Sequence, residues 1–277
     1  MVMPEPHISG GVPTLKTSWI SVSLACLLVV GGLVLHGSPW NQEWLIWGHR
    51  SSWLPDQFWL FVTQWGDSAQ ALLLLLALFL LHPVPLAWAL KTWLMGVIAS
   101  PLLKAAWDAP RPLSVLEPHW LHAIGHPPMG GHSMPSGHSL AAGSLAALLF
   151  FAAGRERVVW RMTLVLLGSL VAVSRLAVGA HWPADVLVGL GLGLFLVLLA
   201  QWWERMQPWA AHLTSARAQR LLSVLMLLLL YAVWHLPSEG WGMTGARLLV
   251  CAAAVWSLLG LVRVQRQLRQ GAGGRHD

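Results

Sequence analysis

Charge is what this chain has least of. Only 10% of its 277 residues are Asp, Glu, Lys or Arg, against about 25% in an average soluble domain. A soluble surface needs charge to stay dispersed, so a freely soluble globule is excluded. Cysteine is scarce as well. Cys26 and Cys251 both fall inside apolar runs, which argues against a disulfide framework and says little about compartment. A single Tyr stands beside 19 Trp. Long apolar runs assign the chain to a bilayer, and amphipathic Trp rings suit the membrane–water boundary. The formal charge of +6 does not indicate nucleic acid, because Lys and Arg are not gathered into one stripe with interleaved polar and aromatic residues.

The apolar runs predict eight spanning helices, over 17–35, 68–82, 86–106, 138–153, 158–177, 183–203, 219–236 and 244–262. The fold class expected is therefore an all-α integral membrane protein. The run Trp19 to Leu35 is read as an uncleaved first span rather than a signal peptide. The second run, Ala69 to Leu81, is short for a span and is extended backward through Trp65. Two stretches are not simple spans. Residues 39–66 alternate Trp with Asn, Gln, His, Arg and Asp, and Trp44, Leu45 and Trp47 are expected on one face of an interfacial helix. Asp108 to Pro135 holds six prolines, which excludes a regular helix and marks a long loop of the functional kind. The tail Gly271 to Asp277 reads as disordered. With the N-terminus inside, the inner segments carry twelve Lys and Arg and the outer ones five. That bias predicts both termini in the cytoplasm and the Pro-rich loop on the opposite side.

Three short polar segments lie at span ends. They are Lys104 with Arg111-Pro112, then Pro135-Ser136-Gly137-His138, then Ser174-Arg175 with His181 and Asp185. A single charge at a span end is ordinary snorkelling. The set is different, because in the eight-span arrangement all three segments reach one membrane face. Lys104, Arg111 and Arg175 supply cations for phosphate oxygens. Ser136 and Gly137 stand at a helix start, where free N–H groups suit an anion. His181 and Asp185 are spaced so that the carboxylate can accept a ring N–H and leave the other nitrogen to attack. His138 is the remaining candidate for general acid. His119, His122, His126 and His132 line the loop, but their spacing does not match a zinc pattern, so neither a metal nor a cofactor is expected. Asp108 is read as a loop residue rather than a base.

These segments resemble the signature of the type 2 phosphatidic acid phosphatase superfamily: Lys-x6-Arg-Pro, Pro-Ser-Gly-His and Ser-Arg-x5-His-x3-Asp. Lys104 to Pro112, Pro135 to His138 and Ser174 to Asp185 match it throughout. The resemblance implies that His181 forms a phosphohistidine, oriented by Asp185, and that His138 protonates the leaving group. Lys104, Arg111, Ser136, Gly137, His138 and Arg175 would contact the phosphate, with Pro112, Pro135 and Ser174 as motif support. It also implies metal-independent chemistry on a membrane lipid phosphate, and likens 39–66 to the interfacial segment of bacterial members.

The expected layout is a tail over 1–16, a six-span core over 17–203 with its catalytic loop over 104–138, two additional helices within 204–262 that depart from that core, and a basic tail over 263–277. The expected activity is hydrolysis of a lipid phosphate or diphosphate at the periplasmic face of a bacterial inner membrane. Undecaprenyl diphosphate is favoured, with phosphatidylglycerol phosphate, phosphatidic acid and lipid A also open. A lipid phosphotransferase would use the same intermediate. A lipid or ion transporter would instead need charges spread through the spans near mid-depth.

Overall fold

A backbone inside lipid must satisfy its own hydrogen bonds, which leaves helices as the answer to long apolar runs. The computed structural model describes residues 15–50, 54–117, 119–153 and 157–273, with side chains from 19 to 267. Most of the expected N-terminal tail, Trp53, Pro118, Arg155 and the last four residues lie outside the described residues, as do the side chains of Lys16 and Arg269. Twelve helices follow in order among those described: α1 (Leu15–His36), α2 (Trp40–Arg50), α3 (Asp56–Gln64), α4 (Ser68–Phe79), α5 (Pro83–Trp107), α6 (Pro112–Val115), α7 (Gly137–Ala152), α8 (Val158–Ala177), α9 (Pro183–Met206), α10 (Ala210–Leu213), α11 (Ala216–His235) and α12 (Gly240–Gly273). Each expected span has its helix. Six of them are long and apolar enough to cross a membrane, and α7 is a shorter apolar helix.

Three expectations need correction. The second span does not run straight back through Trp65, because α3 and α4 meet at 58°. Asp67 ends the run by capping α4, accepting the N–H groups of Ala69 and Gln70 at 3.1 and 3.0 Å. In the interfacial helix, Leu45 does not share a face with Trp44 and Trp47. It is fully buried against Leu121 and Trp182, whereas Trp40, Trp44 and Trp47 are exposed. Those three Trp sit at i, i+4 and i+7, which is one helical face. Finally, α12 runs on to Gly273, so the tail is helical further than expected.

Helix α9 is the hub, packed against α1, α5, α7 and α8. Small residues let backbones approach in lipid. A Cβ on Gly189 would lie 2.6 Å from the Ser136 carbonyl oxygen, and one on Gly193 would lie 2.4 Å from that of Leu140, both on α7. Gly191 faces the other way, with a Cβ 2.8 Å from the Ala25 carbonyl oxygen on α1. The alternation draws α7 and α1 onto opposite sides of α9. The two additional helices do not touch this hub closely. They pack on α3 and α4, with α12 against both.

Candidate active site

The end of α5, the start of α7, the end of α8 and the start of α9 converge on one side of the bundle. Lys104 is in the last turn of α5, which stops at Asp108 in a left-handed conformation (φ 44°). The loop then supplies Arg111, and Pro112 opens α6. A backbone bond from Ser133 N–H to the Ala109 carbonyl, 2.7 Å, closes the loop on itself. Arg175 is in the last turn of α8 and Ser174 bonds back to the Val171 carbonyl at 2.6 Å. Gly179, at φ +73°, turns the chain. His181 follows, just before Pro183 starts α9.

The geometry brings the motif residues together. His181 Nδ1 lies 3.1 Å from Asp185 Oδ2. That oxygen also accepts the Trp182 N–H at 3.0 Å and the Ser133 hydroxyl. An ionised carboxylate only accepts, so Nδ1 carries the proton and Nε2 keeps its lone pair. Arg111 approaches that lone pair: its Nη1 is 3.3 Å from Nε2 and 3.1 Å from the Ala180 carbonyl oxygen. Its Nε donates to the Gly130 carbonyl at 3.2 Å. Arg175 is buried and donates to the Thr63 hydroxyl on α3. Lys104 is within electrostatic range of Arg111, Arg175 and Asp185. Burial pushes His181 down to about 4, further lowered by Arg175 and Arg111 and opposed by Asp185. At neutral pH the ring is therefore uncharged and nucleophilic.

His138 stands in the first turn of α7, within electrostatic range of Arg175, His181, Lys104 and Arg111. Gly66 presses on it so closely that a Cβ there would lie 2.9 Å from the His138 Cβ. Ser136 is oriented differently from its neighbours. Its hydroxyl caps α7, accepting the Ser139 N–H at 3.3 Å, and its own N–H donates to the Asp185 carbonyl at 3.1 Å. The first turn of a helix leaves N–H groups without intrahelical acceptors, here at Gly137 and His138. A Cβ on Gly137 would meet only Ser100 Oγ, at 4.0 Å. Protein packing does not demand glycine there. Pro135 is buried beneath the turn. Gly137 and His138 also line a cavity of about 350 Å³ between α4, α5 and α7, whose walls are mainly apolar.

Four further residues hold this arrangement and carry no spacing signal of their own. Ser133 bonds Asp185, and Thr63 bonds Arg175. Asn41 Oδ1 accepts the Ala184 N–H at 3.0 Å. His49 Nδ1 lies 2.9 Å from the Ala177 carbonyl oxygen, and its Nε2 accepts the His122 N–H at 2.9 Å. Burial lowers the His49 pKa, in keeping with the neutral form this pairing requires. The four loop histidines do not converge. Each pairs with one carboxylate: His119 with Glu117, His122 with Asp56, His126 with Glu239 and His132 with Asp108, at 3.2, 3.6, 2.7 and 2.6 Å.

The sequence profile of the PAP2 superfamily matches residues 80–209, the stretch that holds every motif residue. Over the matched stretch this chain is similar to that superfamily. It is 29% identical over 155 residues to undecaprenyl-diphosphatase BcrC of Bacillus subtilis, a match covering 54% of this chain and 75% of that one. It is 38% identical over 76 residues to a lipid A 1-phosphatase of Rhizobium johnstonii, covering 26% of this chain and 30% of that one. The chain thus spans less than a third of the length of the lipid A 1-phosphatase it matches. The crystal structure of Aquifex aeolicus LpxE superposes with a TM-score of 0.52 at 23% identity, covering 59% of this chain and 96% of that one, which shows a shared fold. Helices α11 and α12 lie beyond the matched stretch.

Proposed function

We propose that the chain is a membrane phosphatase that hydrolyses a lipid phosphate or diphosphate through a phosphohistidine on His181. The observation that carries this is the neutral His181 ring, with Nδ1–H held by Asp185 and Nε2 facing Arg111. A phosphoryl group bound by Lys104, Arg111, Arg175 and the N–H groups at Gly137 and His138 puts phosphorus in front of Nε2. The Nε2 lone pair forms the N–P bond as the bond from phosphorus to the leaving oxygen breaks. His138, protonated against the bound phosphate, gives that oxygen its proton and is left neutral. Water then attacks phosphorus, His138 takes a proton back, and the N–P bond breaks to release phosphate. The cations stabilise charge on the transferring oxygens throughout. None of these steps calls on a metal.

The lipid is proposed to lie with an apolar chain in the cavity beside Gly137 and His138. Undecaprenyl diphosphate is favoured, in line with the Bacillus subtilis relative, and lipid A, in line with the Rhizobium one, is the main competitor, ahead of phosphatidylglycerol phosphate and phosphatidic acid. The Lys and Arg bias supports a periplasmic site with both termini in the cytoplasm. The test is phosphate release by purified full-length chain in detergent from these four lipids, with chelator present. Wild type is expected to release phosphate, and His181→Ala to lose at least about a thousandfold in rate while remaining folded. Undiminished release by His181→Ala sinks the mechanism. Phosphate found on a second lipid rather than free would identify a transferase.

A further inference from the structure

The turn that carries His181 is short, and both helices flanking it end in backbone groups that cannot be satisfied within their own helix. At the end of α8 the Ala177 carbonyl is one such group. At the start of α9 the Ala184 N–H is another, and the residue at the cap position, Trp182, has no side-chain acceptor to offer. Both are met by a single element that approaches from outside the four catalytic helix ends. Helix α2 gives Asn41 Oδ1 to the Ala184 N–H at 3.0 Å and His49 Nδ1–H to the Ala177 carbonyl at 2.9 Å. Asn41 and His49 are eight residues apart, a little over two turns, so they lie near one face of α2. Between them, Leu45 is fully buried on that face against Leu121, Trp182 and, from α8, Leu176. His49 extends the grip to the loop, since its Nε2 accepts the His122 N–H.

We infer that α2 is the clamp of the nucleophile turn, with Asn41 and His49 as positioning residues that set the spacing of the α8 and α9 ends and thereby the aim of His181 Nε2. Their hydrogen bonds named above go to backbone groups of the turn and the loop rather than to Lys104, Arg111 or Arg175. Lys104 stands on α5, Arg111 bonds the Gly130 carbonyl of the loop as well as that of Ala180 in the turn, and Arg175 is tied to Thr63 on α3, so each cation keeps an anchor that α2 does not supply. Loss of the clamp therefore acts more on attack than on phosphate binding. A displacement of the order of 1 Å at a reacting atom can cost about a hundredfold in rate, and one lost tether of two is expected to cost less.

The inference rests on His181 being the nucleophile, and the experiment keeps the two apart. Full-length wild type, Asn41→Ala, Asn41→Asp, His49→Ala and His181→Ala are purified in detergent. Each is assayed on the lipid phosphate that wild type hydrolyses fastest, with inorganic phosphate as competing ligand and thermal unfolding as a control. Asn41→Ala and His49→Ala should each lower kcat about tenfold, with KM and the inhibition constant of phosphate within about twofold of wild type. Asn41→Asp keeps an acceptor oxygen for the Ala184 N–H and should recover most of the lost kcat. The clamp is overturned if Asn41→Ala keeps kcat within about twofold. It is also overturned if kcat, KM and the phosphate constant worsen together and Asn41→Asp restores none of them. Activity surviving in His181→Ala would instead condemn the nucleophile assignment.

Discussion

The proposed nucleophile, His181, is buried and uncharged. A group with a pKa of about 4 is almost wholly deprotonated at neutral pH, so the acid limb of the pH–rate profile should fall only as pH nears 4, where protonation removes the Nε2 lone pair. Ser133 tunes that limb. Its hydroxyl donates to the same Asp185 oxygen that holds the His181 Nδ1–H, which draws charge from the carboxylate and weakens its hold on an imidazolium. Ser133→Ala should therefore raise the His181 pKa and move the acid limb toward higher pH by about one unit, the equivalent of about 1.4 kcal/mol. Profiles of kcat/KM against pH, which report the free enzyme, measure this for the two proteins, and an unmoved limb would separate Ser133 from the His181–Asp185 pair. The motif residues were legible in the sequence because charged and imidazole groups at the ends of apolar runs need a reason to be there. Ser133, Thr63 and Asn41 were not, because each acts through one oxygen on a partner brought near only by the fold.

Elements set the distances between these groups. The close fit of α7 on α9 brings the Ser136 N–H to the Asp185 carbonyl, and Gly189 is where the two backbones come within reach of the motif. Gly189→Val should lift the start of α7 away from α9, since its Cβ would begin 2.6 Å from the Ser136 carbonyl oxygen. The expected result is a loss of activity of about tenfold or more and a destabilisation of about 1–3 kcal/mol. Gly191→Val, facing α1 instead, should show the stability loss with a smaller loss of rate. Thermal unfolding and phosphate release on the same preparations distinguish them. Helix positions were readable from apolar runs, whereas the angle between α3 and α4 was not. The run from Ala69 onward looks extensible through Trp65 because only Gly66, Asp67 and Ser68 stand between them. Their effect depends on His138 lying against Gly66 and on Asp67 capping α4. Likewise, the inward turn of Leu45 is set by the catalytic loop and α9 closing over it, which periodicity within α2 does not encode.

On the scale of the whole molecule, α11 and α12 brace the side of the core that carries Thr63. Gly242 N–H donates to Gln57 Oε1 at 2.9 Å, and a Cβ on Gly242 would lie 2.0 Å from the Gln57 carbonyl oxygen. Met243 packs beside Trp59, Leu60 and Ala180, the residue before His181. Gly242→Val should push α12 off α3, lowering stability by about 1–3 kcal/mol and lowering activity through Thr63 and Arg175. Glu239→Gln, which removes only the pairing with the exposed His126, should leave both nearly unchanged, as surface ion pairs contribute about 0–1 kcal/mol. Equal effects from the two substitutions would refute the brace. Helix α2 adds a different kind of dependence. Its inner face grips the His181 turn, and its outer face presents Trp40, Trp44 and Trp47, rings that seek the headgroup layer. On the proposed mechanism the nucleophile is thus moored to the lipid surface through α2, which predicts that headgroup spacing and lateral tension act on the turn that carries His181.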